Sequence, residues 1–340
     1  MIDLRVESND RLYEEKEGLL LKHWLVYNGD RYLFKANYRY PMFETYTNYG
    51  EVFYSRVLKK LGVKCVEAEF AIDKIQDVPV KGVMIKNFYD QSKYMDTMSY
   101  KKIFEFYTYS PDNKNRIERY SSVEACLVAC KDFAKRFDFK MDAKKMEKDL
   151  VKMAICDFFF CQSDRHDNNI EILFTHDGEM EVAPAFDNGL NLGFPYFAQL
   201  SDHYAEEKCS DGKEFNGAYT IFTLRNFDVD MFNDKEREAE QLADIALYLK
   251  NHPECVRLIK NISKIDVAQE IDEMESDCGF GIPESYKIVG QTILNTRMKM
   301  LEEQLIKEGE YDLLNEIFAS SEQDYDKSAV KTAPEGEYLM

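Results

Sequence analysis

The first ninety residues and the rest of the chain carry two different hydrophobic patterns, and this change constrains the fold more than any other feature of the sequence. Residues 19–38, LLLKHWLVYNGDRYLFKANY, contain two β-rich runs joined by Asn28-Gly29, a strong hairpin signal. GEVFYSRVLKKLGV has apolar residues at helical spacing and ends at Gly62, a suitable C-cap. VKCVEAEFAID and VKGVMIKNFY predict two more strands. The predicted order is therefore hairpin, helix, hairpin.

From about residue 91 the pattern is typical of helices. SSVEACLVACKDFAKRF has an N-cap Ser, and the helix DAKKMEKDLVKMAICDFFF begins at a predicted N-cap, Asp142. A short hairpin follows, with His176-Asp177-Gly178 as its turn. The pattern predicts further helices over 234–250, 254–263, 265–276 and 283–308. The last of these has Pro283 in its first turn.

These patterns predict an α+β protein with two lobes. We expect a β-rich N-terminal lobe over 1–88, a mainly helical C-terminal lobe over 89–318, and a tail over 319–340 that lacks periodicity. Ligands commonly bind in the cleft between two such lobes. The segment that follows the helix ending in Phe160 lies just inside the second lobe, where we expect it to face that cleft.

The charge of the chain limits its partners. With 44 basic and 63 acidic residues, the formal net charge is −19. Nucleic acids and anionic membranes require a basic surface, so we expect neither as a partner. A nucleotide needs only a local positive pocket and remains compatible with this composition.

Cysteine usage and the first residues bear on the compartment. The 8 Cys form no CxxC pair, and with only 5 His the chain shows no zinc-ligand pattern. Cys126 and Cys130, in the apolar stretch ACLVAC, are predicted to be buried free thiols. The start MIDLRVESND has no apolar signal region, and no run approaches about 18 apolar residues. We therefore expect a reduced, cytoplasmic protein.

A polar cluster surrounds the short hairpin within CQSDRHDNNIEILFTHDGEMEVAPAFDNG, residues 161–189. Asp164 and Asn169 lie five apart, so that one loop presents a base at one end and a metal ligand at the other. Asp187 follows the strand EVAPAF, and Gly189 is expected to free the backbone to turn. Carboxylate and amide oxygens are the ligands that Mg²⁺ prefers. The cluster predicts a divalent-metal and phosphate site.

Two charged residues upstream suit the same chemistry. Lys35 sits inside the apolar strand YLFKANY, where a charge is costly without a partner. Glu51 opens the following helix, from which it can reach back to Lys35 as an ion pair. A Lys that pairs with phosphates, an acid that holds it, metal ligands and a carboxylate beside the attacking hydroxyl are what phosphoryl transfer requires.

Each residue alone also has an ordinary structural interpretation. A Lys in a strand is more often a snorkelling or edge residue, and Glu51 can be a first-turn acid favoured by the helix dipole. Asn169 and the Asp187-Asn188-Gly189 stretch suit turns, and His166 suits a loop hydrogen bond. The ordered set over about 150 residues favours the site.

SDRHDNN followed by APAFDNG resembles the HipA-like kinase family, whose catalytic loop has an Asp, a nearby His and an Asn five after the Asp. EGLLLKHW, YLFKANY and YGEVFYSRVLKKLGV resemble that family's phosphate loop, ATP lysine and helix glutamate, and VMIKNFYD resembles its interlobe hinge. The resemblance covers roughly residues 12–310. It implies an atypical protein-kinase-like fold with a β-rich N-lobe and a helical C-lobe.

The resemblance also implies roles for individual residues. Asp164 would be the catalytic base, supported by His166, and Asn169 and Asp187 would hold Mg²⁺. Other residues would form the ATP site. Lys35 would contact the phosphates of ATP, and Glu51 would pair with Lys35. Gly18 and Lys22 would also lie at the phosphates, and main-chain groups of Lys86 and Phe88 would bind the adenine.

The implied activity is ATP- and Mg²⁺-dependent phosphorylation of Ser or Thr hydroxyls on a protein, with the chain itself among the candidate acceptors. Family members include toxins of toxin–antitoxin pairs, so an antitoxin is a candidate partner. The Asp164-Arg165-His166 order also occurs in phosphoinositide kinases. A lipid-directed or small-molecule-directed kinase, a protein nucleotidyltransferase and a non-catalytic nucleotide-binding protein therefore remain alternatives.

Overall fold

The N-terminal part of the chain folds around a six-stranded sheet. The computed structural model describes these residues: 1–5, 11–12, 21–37, 47–75, 78–108, 122–192, 234–279, 281–282 and 284–318. The sheet has the strand order β1-β5-β6-β4-β3-β2, antiparallel except for the β1–β5 pair. Its strands are β1 (Ile2–Asp3), β2 (Arg11–Leu12), β3 (Lys22–Tyr27), β4 (Asp30–Ala36), β5 (Ala68–Ile75) and β6 (Val78–Lys86).

The predicted hairpin at Asn28-Gly29 is confirmed. Asn28 has φ 50° and Gly29 has φ 83°, and Tyr27 pairs with Asp30 across the turn. Two positive φ angles match the twist of a tight two-residue hairpin, which explains why Asn and Gly occupy these positions. The hairpin places Lys22 opposite Lys35, so two cations project from neighbouring strands.

The predicted helix between the hairpins is also present, as α1 (Thr47–Lys60). Gly62, just beyond it, has φ 67°, a left-handed conformation that glycine adopts without strain. Apolar residues such as Phe53 and Val57 are fully buried. One side of α1 packs on the sheet, and the other packs on the C-terminal lobe. The helix therefore lies between the lobes.

A second sheet of four strands lies in the C-terminal lobe, in the order β7-β9-β10-β8. The predicted hairpin is its centre, with Gly178 at φ 74° in the turn. The helical pattern from about residue 91 did not predict β7, because β7 pairs with β9, which follows some seventy residues later along the chain. The strands are β7 (Tyr94–Ser99), β8 (Lys140–Met141), β9 (Glu171–Thr175) and β10 (Glu179–Val182).

Helices make up most of the C-terminal lobe. The predicted N-caps are confirmed: Ser122 accepts a hydrogen bond from the Ala125 N–H, and Asp142 accepts one from the Lys145 N–H. Eight helices follow α1 in the described ranges: α2 (Tyr100–Thr108), α3 (Val123–Phe137), α4 (Ala143–Phe159), α5 (Asp234–Leu249), α6 (Pro253–Ile262), α7 (Val267–Cys278), α8 (Glu284–Glu308) and α9 (Tyr311–Phe318). The last helix, α9, lies beyond the predicted ones. None of these nine helices has the length and apolar character to cross a bilayer.

One hydrophobic core runs from α1 into the C-terminal lobe. The end of α4 supplies its centre, where the Phe160 ring contacts Phe53 and Tyr54 of α1 at centroid distances of 6.1 and 6.0 Å. Cys126 and Cys130 are buried in the same core as free thiols, as predicted. The lobes thus share a core, while the boundary at 88/89 stays a prediction.

A backbone ladder also joins the lobes beside the cleft. The Val66 N–H donates to the Ala185 carbonyl at 3.0 Å, and the Ala185 N–H donates to the Lys64 carbonyl at 3.0 Å. Ala185 lies two residues before Asp187. The ladder therefore fixes the Asp187 segment relative to the N-terminal sheet.

Gly82 of β6 lies so close to β4 that we expect any side chain there to destabilise the fold. A methyl group would collide with the Lys35 carbonyl oxygen and the Phe34 ring. Gly82→Ala should therefore lower the free energy of unfolding by about 1–3 kcal/mol, measured by urea denaturation. Gly281→Ala, whose methyl would meet nothing within 4 Å, is the control and should change it by less than about 0.5 kcal/mol. Equal effects of the two variants would contradict the close approach.

Candidate active site

A cleft of about 340 Å³ opens between the two lobes, within the range of small-molecule sites. The N-terminal sheet forms its roof, the 87–89 connection closes one end, and β7, β9 and the segment before Asp187 form its floor. The residues that line it are Lys22, Trp24, Arg31, Leu33, Lys35, Val66, Ile85, Lys86, Asn87, Phe88, Tyr89, Thr97, Glu171, Phe186 and Asp187.

Lys35 is the buried charge at the inner end of this cleft. Its Nζ donates to Glu51 Oε1 at 2.5 Å and to Asp187 Oδ1 at 2.7 Å. Lys35 and Glu51 are only 4% and 2% exposed. Burial alone would lower the pKa of Lys35, but the two carboxylates outweigh burial and raise the pKa above its ordinary value. Lys35 is therefore a permanent cation that joins β4, α1 and the Asp187 segment.

Asp187 presents its carboxylate to the cleft. Its φ of 52° is uncommon for a non-glycine residue, and its side chain is 41% exposed. The Lys35 ammonium lowers the pKa of Asp187 to about 2. Lys35 binds Oδ1, whereas Oδ2 accepts no hydrogen bond from the described part of the chain. This oxygen is available to a metal ion.

Asp164 and Asn169 are brought together by the loop between α4 and β9. Asn169 Nδ2 donates to the Asp164 carbonyl at 2.7 Å, so the amide oxygen is the end of the side chain left for a ligand. Asn169 is 6% exposed. Burial raises the pKa of the Asp164 carboxyl, and the neighbouring Asp187 charge adds to this effect. The loop thus presents one carboxylate and one amide oxygen.

His166 flanks Asp164 in a defined tautomer. The Asn168 N–H donates to His166 Nδ1 at 3.1 Å, so the proton of the neutral ring lies on Nε2. Nε2 is 3.7 Å from Asp164 Oδ1, which is beyond hydrogen-bond distance. His166 therefore lies beside the Asp164 carboxylate without occupying its acceptor sites.

Gln162 was missed by the sequence analysis, although it links the two halves of the site. Its side chain is fully buried. Its Oε1 accepts a hydrogen bond from the Asp164 N–H at 3.2 Å, and its Nε2 donates to the Asp187 carbonyl at 3.5 Å. No local pattern distinguishes this Gln from a surface residue, because its partner at 187 is distant in sequence.

Arg165 lies beneath the loop as a second buried cation. It is fully buried and forms an ion pair with Asp157 of α4, with Nε 3.1 Å from Oδ2. Its other nitrogens donate to the Phe186 carbonyl at 2.5 Å, the Asn169 carbonyl at 3.4 Å and Asn188 Oδ1 at 2.5 Å. Arg165 therefore holds the loop and the Asp187 segment in one arrangement.

Asn188 connects this arrangement to α1. Its N–H donates to Glu51 Oε2 at 2.9 Å, so both oxygens of Glu51 are engaged. Gly189 does not need its conformational freedom as expected: the positive φ belongs to Asp187 instead. A Cβ at Gly189 would lie 2.9 Å from the Thr47 carbonyl oxygen, so the reason for glycine is the close approach of α1.

The 86–88 connection offers main-chain groups at the far end of the cleft. The Lys86 N–H donates to the Glu67 carbonyl at 2.9 Å, and the Lys86 ammonium binds the Asp30 carboxylate at 2.7 Å. Its carbonyl oxygen is therefore the group that a ligand can use. The Phe88 ring lies 5.3 Å from that of Phe186, centroid to centroid, and forms an apolar wall.

Lys22 and Gly18 were predicted to contact phosphates. Lys22 lines the cleft opposite Lys35 and contributes to the lowered pKa of Asp187. The roof thus carries positive charge on a strongly acidic chain. Gly18 and the predicted tail over 319–340 lie outside the described residues.

Comparisons with known proteins identify the fold. No family model matches the sequence, and no curated protein matches it. The chain is similar to the structure of the Helicobacter pylori proinflammatory kinase CtkA, with 18% identity, coverage of 90% of this chain and 98% of that one, and a TM-score of 0.64. HipA of the Shewanella oneidensis MR-1 toxin–antitoxin system, in complex with HipB and operator DNA, matches with 16% identity, coverage of 86% and 65%, and a TM-score of 0.46. The likeness to CtkA confirms the predicted α+β fold with two lobes, of the protein-kinase-like type.

Loss of Arg165 should destabilise the protein strongly. Arg165→Met leaves the Asp157 carboxylate buried without its cation, so we expect the free energy of unfolding to fall by about 3–5 kcal/mol in urea denaturation. Lys59→Met, which breaks the exposed Lys59–Glu67 pair, is the control and should cost no more than about 1 kcal/mol. Similar losses of unfolding free energy in both variants would contradict the expected contribution of the buried Arg165–Asp157 pair.

Removal of the Lys35 ammonium should raise the pKa of Asp187. A nearby cation favours the charged carboxylate, so in Lys35→Met we expect the pKa to rise from about 2 towards about 3.9. By linkage, the stabilisation that Asp187 contributes in the wild type is present above about pH 4 and is lost as the pH falls towards 2. A ¹³C NMR titration of the carboxyl groups measures the shift. Lys86→Met, whose ammonium binds Asp30, should leave it unchanged; an unchanged Asp187 in Lys35→Met would contradict the assignment.

Proposed function

We propose that this chain is an ATP- and Mg²⁺-dependent kinase that phosphorylates Ser or Thr hydroxyls on protein. The observation that carries the proposal is the contact of one buried ammonium, Lys35, with both Glu51 and Asp187 at the inner end of an interlobe cleft. A purely structural Lys in a strand does not require two carboxylates from distant parts of the chain. The fold shared with a kinase supports this interpretation.

The cleft suits a nucleotide in one orientation. Lys22 and Lys35 supply positive charge at the inner end, where the phosphates would lie. The Lys86 carbonyl and the Phe88 main chain lie at the hinge end, where the adenine would lie between apolar walls formed by Leu33, Ile85 and Phe186. Aromatic and aliphatic walls with a few polar groups are typical of such sites.

The donor set at the inner end fits Mg²⁺. The Asn169 amide oxygen and Asp187 Oδ2 are hard ligands without protein partners among the described residues. No group of three His, Cys, Asp or Glu side chains in the described ranges forms a metal cage. Mg²⁺ is commonly bound by only one or two protein oxygens together with phosphates and water, so this set suffices. Bound there, the ion would neutralise charge on the phosphates.

Asp164 is the residue that we assign as the base. Its carboxylate is partly exposed, and its backbone is fixed by Gln162 and Asn169. It would accept the proton of the attacking hydroxyl and orient that oxygen. His166, beside it, would support this position. In such a reaction, positioning and charge neutralisation supply most of the rate.

The acceptor is assigned from the resemblance of SDRHDNN and APAFDNG to the HipA-like kinases. We propose a Ser or Thr hydroxyl on a protein, with this chain itself as one candidate. A protein partner of the antitoxin type is a further proposal that rests on the same resemblance.

The proposal is tested by incubating the purified protein with Mg²⁺, γ-labelled ATP and a generic protein acceptor, followed by gel and intact-mass analysis. We expect a mass gain of one phosphate, and a rate lowered about 10²–10⁴-fold in Asp164→Asn, because the amide accepts no proton. Asp187→Asn should also lose activity, since an amide is a poorer Mg²⁺ ligand than a carboxylate. Asp138→Asn, at an exposed helix C-cap, is the matched control with unchanged activity.

Each other outcome identifies a different function. A mass gain of one nucleotide would establish nucleotidyl transfer, and label on added lipid alone would establish a lipid kinase. Thermal stabilisation by ATP without any transfer would indicate a non-catalytic nucleotide-binding protein. If ATP gives neither a label nor thermal stabilisation, the proposal is overturned.

A further inference from the structure

Thr97 and Glu171 form a polar pair in the floor of the cleft that the proposed catalytic residues do not include. Thr97 Oγ1 donates to Glu171 Oε2 at 2.5 Å, and both side chains line the cavity. They lie on adjacent strands, β7 and β9, where Thr97 pairs with Leu173 and Ser99 pairs with Glu171. The pair is thus built into a sheet rather than carried on a loop.

The remaining oxygen of Glu171 is left to accept a hydrogen bond. In the described ranges, no Lys or Arg lies within ion-pair distance of Glu171, and Oε1 accepts no hydrogen bond. A carboxylate on a cleft wall without a cation is costly unless water or a ligand solvates it. Thr97 is β-branched and therefore stiff, so its hydroxyl holds the carboxylate in one orientation.

The place of Glu171 along the cleft identifies which part of a nucleotide it would meet. Asn169, two residues before it, belongs to the inner, phosphate end. Leu173, two residues after it and about 7 Å away along the strand, belongs to the hydrophobic cluster against which Phe88 and Tyr89 pack at the hinge end. Glu171 therefore lies midway between the groups assigned to the phosphates and those assigned to the base. The ribose is the part of a nucleotide that lies between them.

The chemistry agrees with this position. A carboxylate repels phosphates but accepts hydrogen bonds from hydroxyl groups, and charged acceptors form the stronger bonds. The ribose carries two neighbouring hydroxyl donors. We propose that Glu171, oriented by Thr97, binds the ribose hydroxyls of the nucleotide and makes the site selective for ribonucleotides. This inference rests on the proposed nucleotide-binding function and adds a residue to it.

Competition binding of ATP, 2′-deoxyATP and 3′-deoxyATP in the presence of Mg²⁺ tests the inference. We expect the wild-type protein to bind ATP at least about tenfold more tightly than one of the two deoxy analogues, the factor that one hydrogen bond to a charged group supplies. Glu171→Met keeps the length of the side chain without an acceptor, and should bind all three nucleotides equally. Thr97→Val keeps the carboxylate but removes its orienting hydroxyl, and should reduce the preference partly.

Glu179→Gln is the matched control, since Glu179 is an exposed carboxylate on the neighbouring strand β10 and should keep the full preference. Thermal melts confirm that each variant is folded, and Thr97→Val keeps the test decisive if Glu171→Met unfolds. A wild-type protein that binds ATP without preferring it over either analogue would overturn the inference and leave the proposed function standing. A preference that survives both substitutions would also overturn it. Absence of any ATP binding would overturn the inference and the proposed function together.

Discussion

The ammonium group of Lys35 is the interaction on which the arrangement of this protein depends. A buried cation is stable only where carboxylates replace the water that it has lost, and here they come from two distant parts of the chain, Glu51 on α1 and Asp187 after β10. The sheet, the helix and the C-terminal lobe must therefore hold fixed positions for the charge to be satisfied. The cleft between the lobes is shaped by the same requirement.

Arg165 meets a similar requirement on the other side of the site. Its partner Asp157 is fully buried, and one further nitrogen of Arg165 donates to the main-chain carbonyls of Asn169 and Phe186. Asn188 connects the two buried cations: its amide oxygen accepts from Arg165, and its N–H donates to Glu51. Any movement of α1 would leave hydrogen bonds of both networks unmade, so this helix and the loop between α4 and β9 are coupled through Asn188.

Local signals predicted those elements that depend on neighbouring residues. The Asn28-Gly29 turn requires positive φ angles, and the helix cap at Asp142 requires an acceptor three residues before an N–H. Both signals lie within a few residues and are visible in the sequence. β7 was missed because its partner β9 is remote, and Gln162 was missed because a buried amide has no local pattern. Gly189 was expected to permit a turn, yet its contact with α1 is the reason for it.

The sequence by itself determined the two-lobed fold class, most element positions and the set of polar residues around the loop between α4 and β9, because periodicity, caps and turn chemistry act over a few residues. Only the tertiary structure decided which of those polar groups meet. It joined Lys35 to Asp187 across some 150 residues of chain, paired the Lys86 N–H with the Glu67 carbonyl, and placed Glu171 on the wall of the cleft. These contacts depend on how sheets and helices pack, and side-chain burial and partners follow from packing alone.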